Sequence, residues 1–242
     1  YLLKKNGLIP TCIICTGKQN NIFTISVQFF SKLLSNLKNI MRIYKISKPD
    51  YNDFLHNYYI SNNLKMWNAS LPKICFKEGI KFYNNKSINS EGTIKFIKNN
   101  NLDLLINAGG EIFKHPIIKL LNIGILNPHM GYLPKYRGMN VMEWSIFQND
   151  KTGVTLHFIE RQIDLGDIIL FKEIPIDKED TISSIRLRSQ VIEIEIMIEG
   201  IKLLKNGNVQ RIKQKKKDGK QYFAMHNRLK EHVNRKIKKY CQ

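Results

Sequence analysis

The 242-residue chain is 43% hydrophobic and 24% charged, and its 39 Lys+Arg against 20 Asp+Glu give a formal net charge of +19. That apolar fraction excludes disorder as the main state, and the length suits one ordinary globular domain with its own core. The longest uncharged apolar stretch, 19–31, is too short to span a bilayer, and four cysteines without a signal-peptide pattern exclude a disulfide scaffold and point to a reducing, cytoplasmic setting.

Residues 1–7 read as the end of a helix, with Lys4 and Lys5 before Gly7 and Pro10 just beyond. No helix start and no initiator Met precede them, so the beginning of this helix is expected to be missing. Thr11 to Thr16 read as a short buried strand. Cys12 and Cys15 then face opposite sides of it, and with no second pair they form no metal or redox motif. Residues 23–46 are apolar at mixed spacing and are expected to be helical.

From residue 89 the pattern sharpens. Ser90 can cap a helix carrying Ile94, Phe96 and Ile97, which the run Asn99-Asn100-Asn101 ends. Leu102 to Asn107 reads as a strand, Gly109-Gly110 as a turn, His115 to Leu121 as a short helix and Ile123 to Asn127 as another strand. This alternation predicts a parallel α/β sheet, whose carboxyl edge is where ligands bind. Gly153 to Ile159 alternates as a strand, and Ile168 to Ile176 returns as a second after the loop Glu160 to Asp167. A cap at Asp180 or Thr181 and a stop at Lys205-Asn206-Gly207 predict one long helix, although Ile192-Glu193-Ile194-Glu195-Ile196 alternates locally like a strand.

About half of the net charge lies in residues 211–242, which hold twelve Lys/Arg against Asp218 and Glu231. Within them, Tyr222, Met225, Leu229, Val233 and Ile237 form an apolar stripe at helical spacing, expected to dock on the body. Clustered charge fits a phosphate-rich partner such as tRNA or a nucleotide-linked substrate, and equally a solvated basic face. Sparse aromatic residues argue against a single-strand platform. The expected division is therefore a body, 1–207, and a basic C-terminal tail, 208–242.

The most specific signal is Asn127-Pro128-His129-Met130-Gly131-Tyr132-Leu133-Pro134-Lys135-Tyr136-Arg137-Gly138, followed by Trp144-Ser145-Ile146, Thr152-Gly153-Val154-Thr155-Leu156-His157-Phe158 and Asp164-Leu165-Gly166-Asp167-Ile168-Ile169. In order and spacing these segments resemble the folate-dependent formyltransferase family. The resemblance implies a Rossmann-like, mostly parallel sheet with flanking helices. It also implies a first strand that this chain lacks, and 10-formyltetrahydrofolate as formyl donor.

The chemistry of these residues agrees with the resemblance. Formyl transfer to an amine develops an oxyanion, and the amine loses a proton while the leaving nitrogen gains one. Asn127 can donate to the oxyanion, His129 can move protons near neutral pH, and Asp164 can orient the imidazole. These are the three family positions for catalysis. The family binds its flat pterin through loop backbone, which here implies Gly109, Gly110, Glu111, Ile112 and Phe113 on one side and Ile163, in the loop Glu160 to Asp164, on the other. Glycine there would let a ring approach the main chain, or simply make a tight turn.

The acceptor is less defined. Gly131 replaces a frequent Ser and Pro128 a frequent Ile or Val, which bears on the shape of the acceptor pocket. Tyr136-Arg137-Gly138 and Trp144 resemble the sugar and methionyl-tRNA branches more than the glycinamide ribonucleotide branch. The 35 residues after Gly207 are too few for the β-barrel of methionyl-tRNA formyltransferases. A small-molecule amine, an amino sugar carried on a nucleotide, is therefore the expected acceptor. Methionyl-tRNA, glycinamide ribonucleotide, and a folate-binding copy without turnover are the alternatives.

Overall fold

The computed structural model describes residues 3, 6–16, 71–109 and 111–239. The helix expected over 23–46, Gly110 and Cys241 lie outside the described residues. Two compact units divide the chain, 1–93 and 94–242.

In the first unit β1 (Cys12–Thr16) pairs in parallel with β2 (Lys81–Asn85), running from Cys12↔Lys81 to Thr16↔Asn85. Helix α1 (Leu71–Lys77) packs on β2. Burial pushes the Cys15 thiol up to about 11, so it is protonated at neutral pH. Helix α2 (Glu91–Asn99) carries the division between the units. Ser90 caps it as its sequence predicts, its Oγ accepting the Thr93 N–H at 3.3 Å, and Asn101, at φ 47°, follows its end.

The second unit contains β3 (Leu104–Ile106), α3 (His115–Ile118), β4 (Gly124–His129), β5 (Tyr136–Gly138), α4 (Val141–Phe147), β6 (Gly153–Phe158), β7 (Ile168–Glu173), α5 (Ile182–Lys205), β8 (Lys220–Tyr222) and α6 (Asn227–Ile237). Its main sheet has the order β3-β4-β6-β7. The expected parallel pairing is present in β1–β2, β3–β4 and β5–β8. β4–β6 and β6–β7 are antiparallel. The connection 159–167 is too short for a crossover and can only return the chain as a hairpin.

Strand β4 runs further than its sequence indicates. His129 is its last residue and not part of a loop, with Asn127 opposite His157, Pro128 opposite Leu156 and His129 opposite Thr155. Pro128 is tolerated because β3 pairs only as far as Leu126, so a missing N–H on that edge breaks no ladder bond.

Both faces of β6 are buried, from Val154 and Leu156 at 0% exposure to His157 at 1%. Helix α5 lies against β4, β6 and β7. It begins in a capping box, Thr181 Oγ1 accepting the Ser184 N–H at 3.1 Å and Ser184 Oγ accepting the Thr181 N–H at 3.0 Å. Its caps outweigh the local alternation at 192–196, and it ends at Asn206 and Gly207, where φ is 70°.

The residues expected as a basic tail are threaded through this unit. Met225, Val233 and Ile237 are buried in the same core as Leu126, Leu156 and Ile185, and α6 packs on α4 and α5. Burial of each such side chain contributes about 1.5–3 kcal/mol. Ile212 and Ile168 exchange two backbone hydrogen bonds, at 2.8 and 2.9 Å. Among the described residues, no helix is long and apolar enough to cross a membrane.

Candidate active site

At the end of β4, side chains from three segments meet. Asn127 lies on β4, His157 faces it from β6, and Asp164 comes from the hairpin loop between β6 and β7. Hydrogen bonds fix the Asn127 amide from both ends. Its Oδ1 accepts from Asn107 Nδ2 at 2.7 Å, and one of its Nδ2 hydrogens points to His157 Nε2 at 3.0 Å.

The direction of this chain follows from its ends. His157 Nδ1 lies 2.7 Å from the Phe158 carbonyl, which can only accept, so Nδ1 carries the proton and Nε2 is an acceptor. At the other end Asn107 Oδ1 accepts the Gly109 N–H at 3.2 Å. Gly109 to Asn107 to Asn127 to His157 to Phe158 is thus one relay with every donor pointing the same way. It leaves the second Nδ2 hydrogen of Asn127 with no partner among the described residues.

Burial, and then the charge of neighbouring His129, press the His157 pKa from 6.5 down to about 4, against the opposing pull of Asp164. His157 is therefore neutral at pH 7. Its Nε2, 3.7 Å from Asp164 Oδ1, carries no proton, so that proximity is not an ion pair.

His129 is held differently. Its Nε2 donates to the Tyr136 carbonyl at 3.0 Å, and its Nδ1 lies 3.5 Å from Asp164 Oδ2. The same Oδ2 accepts the Gly138 N–H at 2.8 Å. Proton exchange at His129 is therefore open at Nδ1, on the Asp164 side.

Asn127, His157 and Asp164 line a cleft of about 530 Å³. His129, 8% exposed, is not in its wall and stands behind Asp164. Of the residues implied for folate, Glu111, Ile112, Phe113 and Ile163 line the cleft. Gly109 does not; its φ of 96° and its bond to Asn107 place it in the relay.

A second part of the cleft wall is formed by Gly138, Met139, Gln221, Tyr222 and Phe223. Met139 and Phe223 are 59% and 71% exposed, an apolar rim on a polar floor. Arg137, 5% exposed, does not reach the cleft. Its Nη2 donates to the carbonyls of Lys216 at 3.0 Å and Gly219 at 2.8 Å, and Trp144 Nε1 donates to Phe223 O at 3.0 Å. Both hold the C-terminal segment in place.

Gly131 is tied to His129, since a Cβ there would lie 2.7 Å from His129 Nε2 and 2.6 Å from Val141 Cγ2. It shapes the histidine's seat and is not among the residues lining the cleft. His157, Asn107 and the C-terminal wall are parts of the site that sequence reasoning missed. Only His157 carried a signal, as a titratable side chain on a buried strand that it shares with polar Thr155.

The site is thus an amide, an imidazole pair and a carboxylate gathered at one strand end of a mixed α/β unit. The formyl transferase family pattern matches residues 59–201, and the chain belongs to that family. It is 27% identical over 196 residues to the methionyl-tRNA formyltransferase of Fusobacterium nucleatum, a match that covers 80% of this chain and 60% of the relative. It is 31% identical over 137 residues to that of Thermotoga maritima, covering 55% and 44%. The chain thus spans about half the length of the curated relatives it matches.

Two solved structures share the fold. One is glycinamide ribonucleotide transformylase 1 from Symbiobacterium toebii, with TM-score 0.51 and 22% identity over 61% of this chain and 77% of that one. The other is the formyltransferase PseJ from Anoxybacillus kamchatkensis, in complex with UDP-4,6-dideoxy-4-formamido-L-AltNAc and tetrahydrofolate, with TM-score 0.50 and 23% identity over 63% and 79%.

Proposed function

We propose that the chain transfers a formyl group from 10-formyltetrahydrofolate to a primary amine, with Asn127, His129 and Asp164 as its catalytic residues. The observation that carries this reading is the Asn127 amide, clamped at both ends and left with one unengaged N–H in a cleft that Asp164 also lines. That hydrogen is donated to the formyl oxygen as it gains negative charge. The new bond joins the amine nitrogen to the formyl carbon, and the bond that breaks joins that carbon to the folate nitrogen. The amine's proton passes to the Asp164 carboxylate, which lines the cleft, and on to His129 Nδ1 behind it at 3.5 Å, and the same proton is returned to the folate nitrogen as it departs. Glu111 to Phe113 and Glu160 to Ile163 form the wall proposed to hold the pterin.

The acceptor proposed is an amino sugar carried on a nucleotide. The cleft has the size of a small-molecule site, and Met139 and Phe223 give part of its wall an apolar rim suited to a ring face. PseJ, of similar fold, is in complex with such a UDP-linked sugar and tetrahydrofolate. A second reading, methionyl-tRNA, is favoured by the curated relatives.

The test offers the chain 10-formyltetrahydrofolate with a panel of amino nucleotide sugars, Met-tRNA and glycinamide ribonucleotide. Formylation of an amino nucleotide sugar, with a shallow salt dependence, is expected. tRNA as the acceptor would instead give a steep salt slope, to which each phosphate contact contributes about 0.7–0.9, flattened by neutralising Lys215, Lys216 and Lys217. Folate binding without transfer to any acceptor would refute the enzymatic reading.

A further inference from the structure

Asp164 occupies an uncomfortable backbone state. Its φ of 51° is in the left-handed region, which is strained for a residue with a Cβ and persists only when the surroundings enforce it. Its carboxylate has two jobs in this position, accepting the Gly138 N–H at 2.8 Å and facing His129 Nδ1 at 3.5 Å. The loop is pressed flat beside it, because a Cβ on Gly166 would lie 1.9 Å from the Phe158 carbonyl oxygen.

Gln214, fifty residues downstream, ties this loop from outside. Its Nε2 donates one hydrogen to the Asp164 carbonyl at 3.1 Å and the other to the Gly166 carbonyl at 2.6 Å. Its Oε1 is buried without a hydrogen-bond partner. The amide cannot turn over, since that would set Oε1 against two carbonyl oxygens. Two residues earlier, Ile212 exchanges two backbone hydrogen bonds with Ile168, fixing the segment that presents Gln214.

We infer that Gln214 is a positioning residue for the reaction, holding Asp164 in its strained state and so keeping its carboxylate between Gly138 and His129. The inference rests on the catalytic reading of Asp164 given above. Gln214 does not itself line the cleft, and its hydrogen bonds reach Asp164 only through the loop backbone.

The test is a double-mutant cycle in the full chain, combining Gln214→Leu with Asp164→Ala, read as single-turnover formyl transfer and as amide exchange of Gly138. Gln214→Leu alone is expected to lower turnover about 10- to 100-fold, the scale of a small misplacement of a reacting group. It should also speed exchange of the Gly138 amide, whose acceptor is the Asp164 carboxylate. In the Asp164→Ala background the same change should alter turnover less than about twofold, because coupled groups do not lose activity independently. Equal losses in both backgrounds, or unchanged Gly138 exchange, overturn the role of Gln214, since a general loss of folded protein scales both backgrounds alike. Full turnover in Asp164→Ala alone overturns the catalytic reading of Asp164, and this inference with it.

Discussion

Replacing His157 by Phe tests the relay and the charge state of its last ring together. Phenylalanine keeps the bulk of a side chain that is 1% exposed but removes the acceptor for Asn127 Nδ2 and the donor to Phe158 O. Each buried group left unpaired costs about 1–3 kcal/mol. Asn127 would still be held by Asn107 at its oxygen, so turnover should fall about 10- to 100-fold, less than the 10²–10³ expected of about one oxyanion donor removed outright. The pH dependence has a definite sign. As pH falls below 6.5 the unfolded imidazole takes a proton, while the folded one stays neutral until about 4. The unfolded state therefore binds more protons in this window, and the native protein loses stability as pH falls. At 1.36 kcal/mol per pH unit the loss at about pH 4.5 reaches about 3 kcal/mol, and it is absent from the variant. Urea unfolding of both proteins at about pH 7.5 and about pH 4.5 measures it. The stability gap between wild type and His157→Phe should narrow by about 3 kcal/mol at the lower pH; an unchanged gap would refute a buried neutral imidazole.

Asn127→Ala should lower turnover by about 10²–10³ with folate affinity nearly intact, and unchanged turnover in the purified variant removes Asn127 from the mechanism. Gly131→Ala places a Cβ 2.7 Å from His129 Nε2 and 2.6 Å from Val141 Cγ2, so a melting-point loss worth about 1–3 kcal/mol and a fall in turnover are expected together; normal activity would show that the ring has room to move. Burial raises the Glu193 pKa from 4.5 to about 8, so its contribution to stability is full below 4.5 and is lost as pH rises toward 8. Glu193→Gln should consequently match wild type near pH 4.5 and exceed it by up to about 5 kcal/mol near pH 9, and equal unfolding curves at the higher pH would show that the carboxylate is solvated.

What could be read from the sequence depended on how local its cause is. Ser90 and Thr181 announce helix starts because a cap acts within three residues, and Asn206-Gly207 announces a stop for the same reason. Asn127, His129 and Asp164 were legible as a spaced motif. The direction of the Asn127 amide was not, because it is fixed by Asn107 and His157 from neighbouring strands. Arg137 was read for the branch it resembles, whereas its guanidinium is occupied by the carbonyls of Lys216 and Gly219. Backbone carbonyls leave no trace in a side-chain pattern. For the same reason the three-residue pairing of β5 with β8 was invisible, and the basic stretch read as a tail when part of it is a wall of the cleft.

The clamp on the Asp164 loop also sets an order of events during synthesis. Asp164 leaves the ribosome fifty residues ahead of Gln214, and Arg137 precedes the two carbonyls it holds by 79 and 82. At about 5–20 residues per second, the loop waits roughly 3–10 s before its tether exists. During that interval β4, β6 and β7 can already pair, so the sheet matures first and the C-terminal part of the cleft wall is added to it afterwards. A nascent chain stalled within this interval would carry the Asn127 relay complete and the carboxylate unheld, a species that pulse-labelled amide exchange on arrested chains can identify by protection at Phe158 without protection at Gly138.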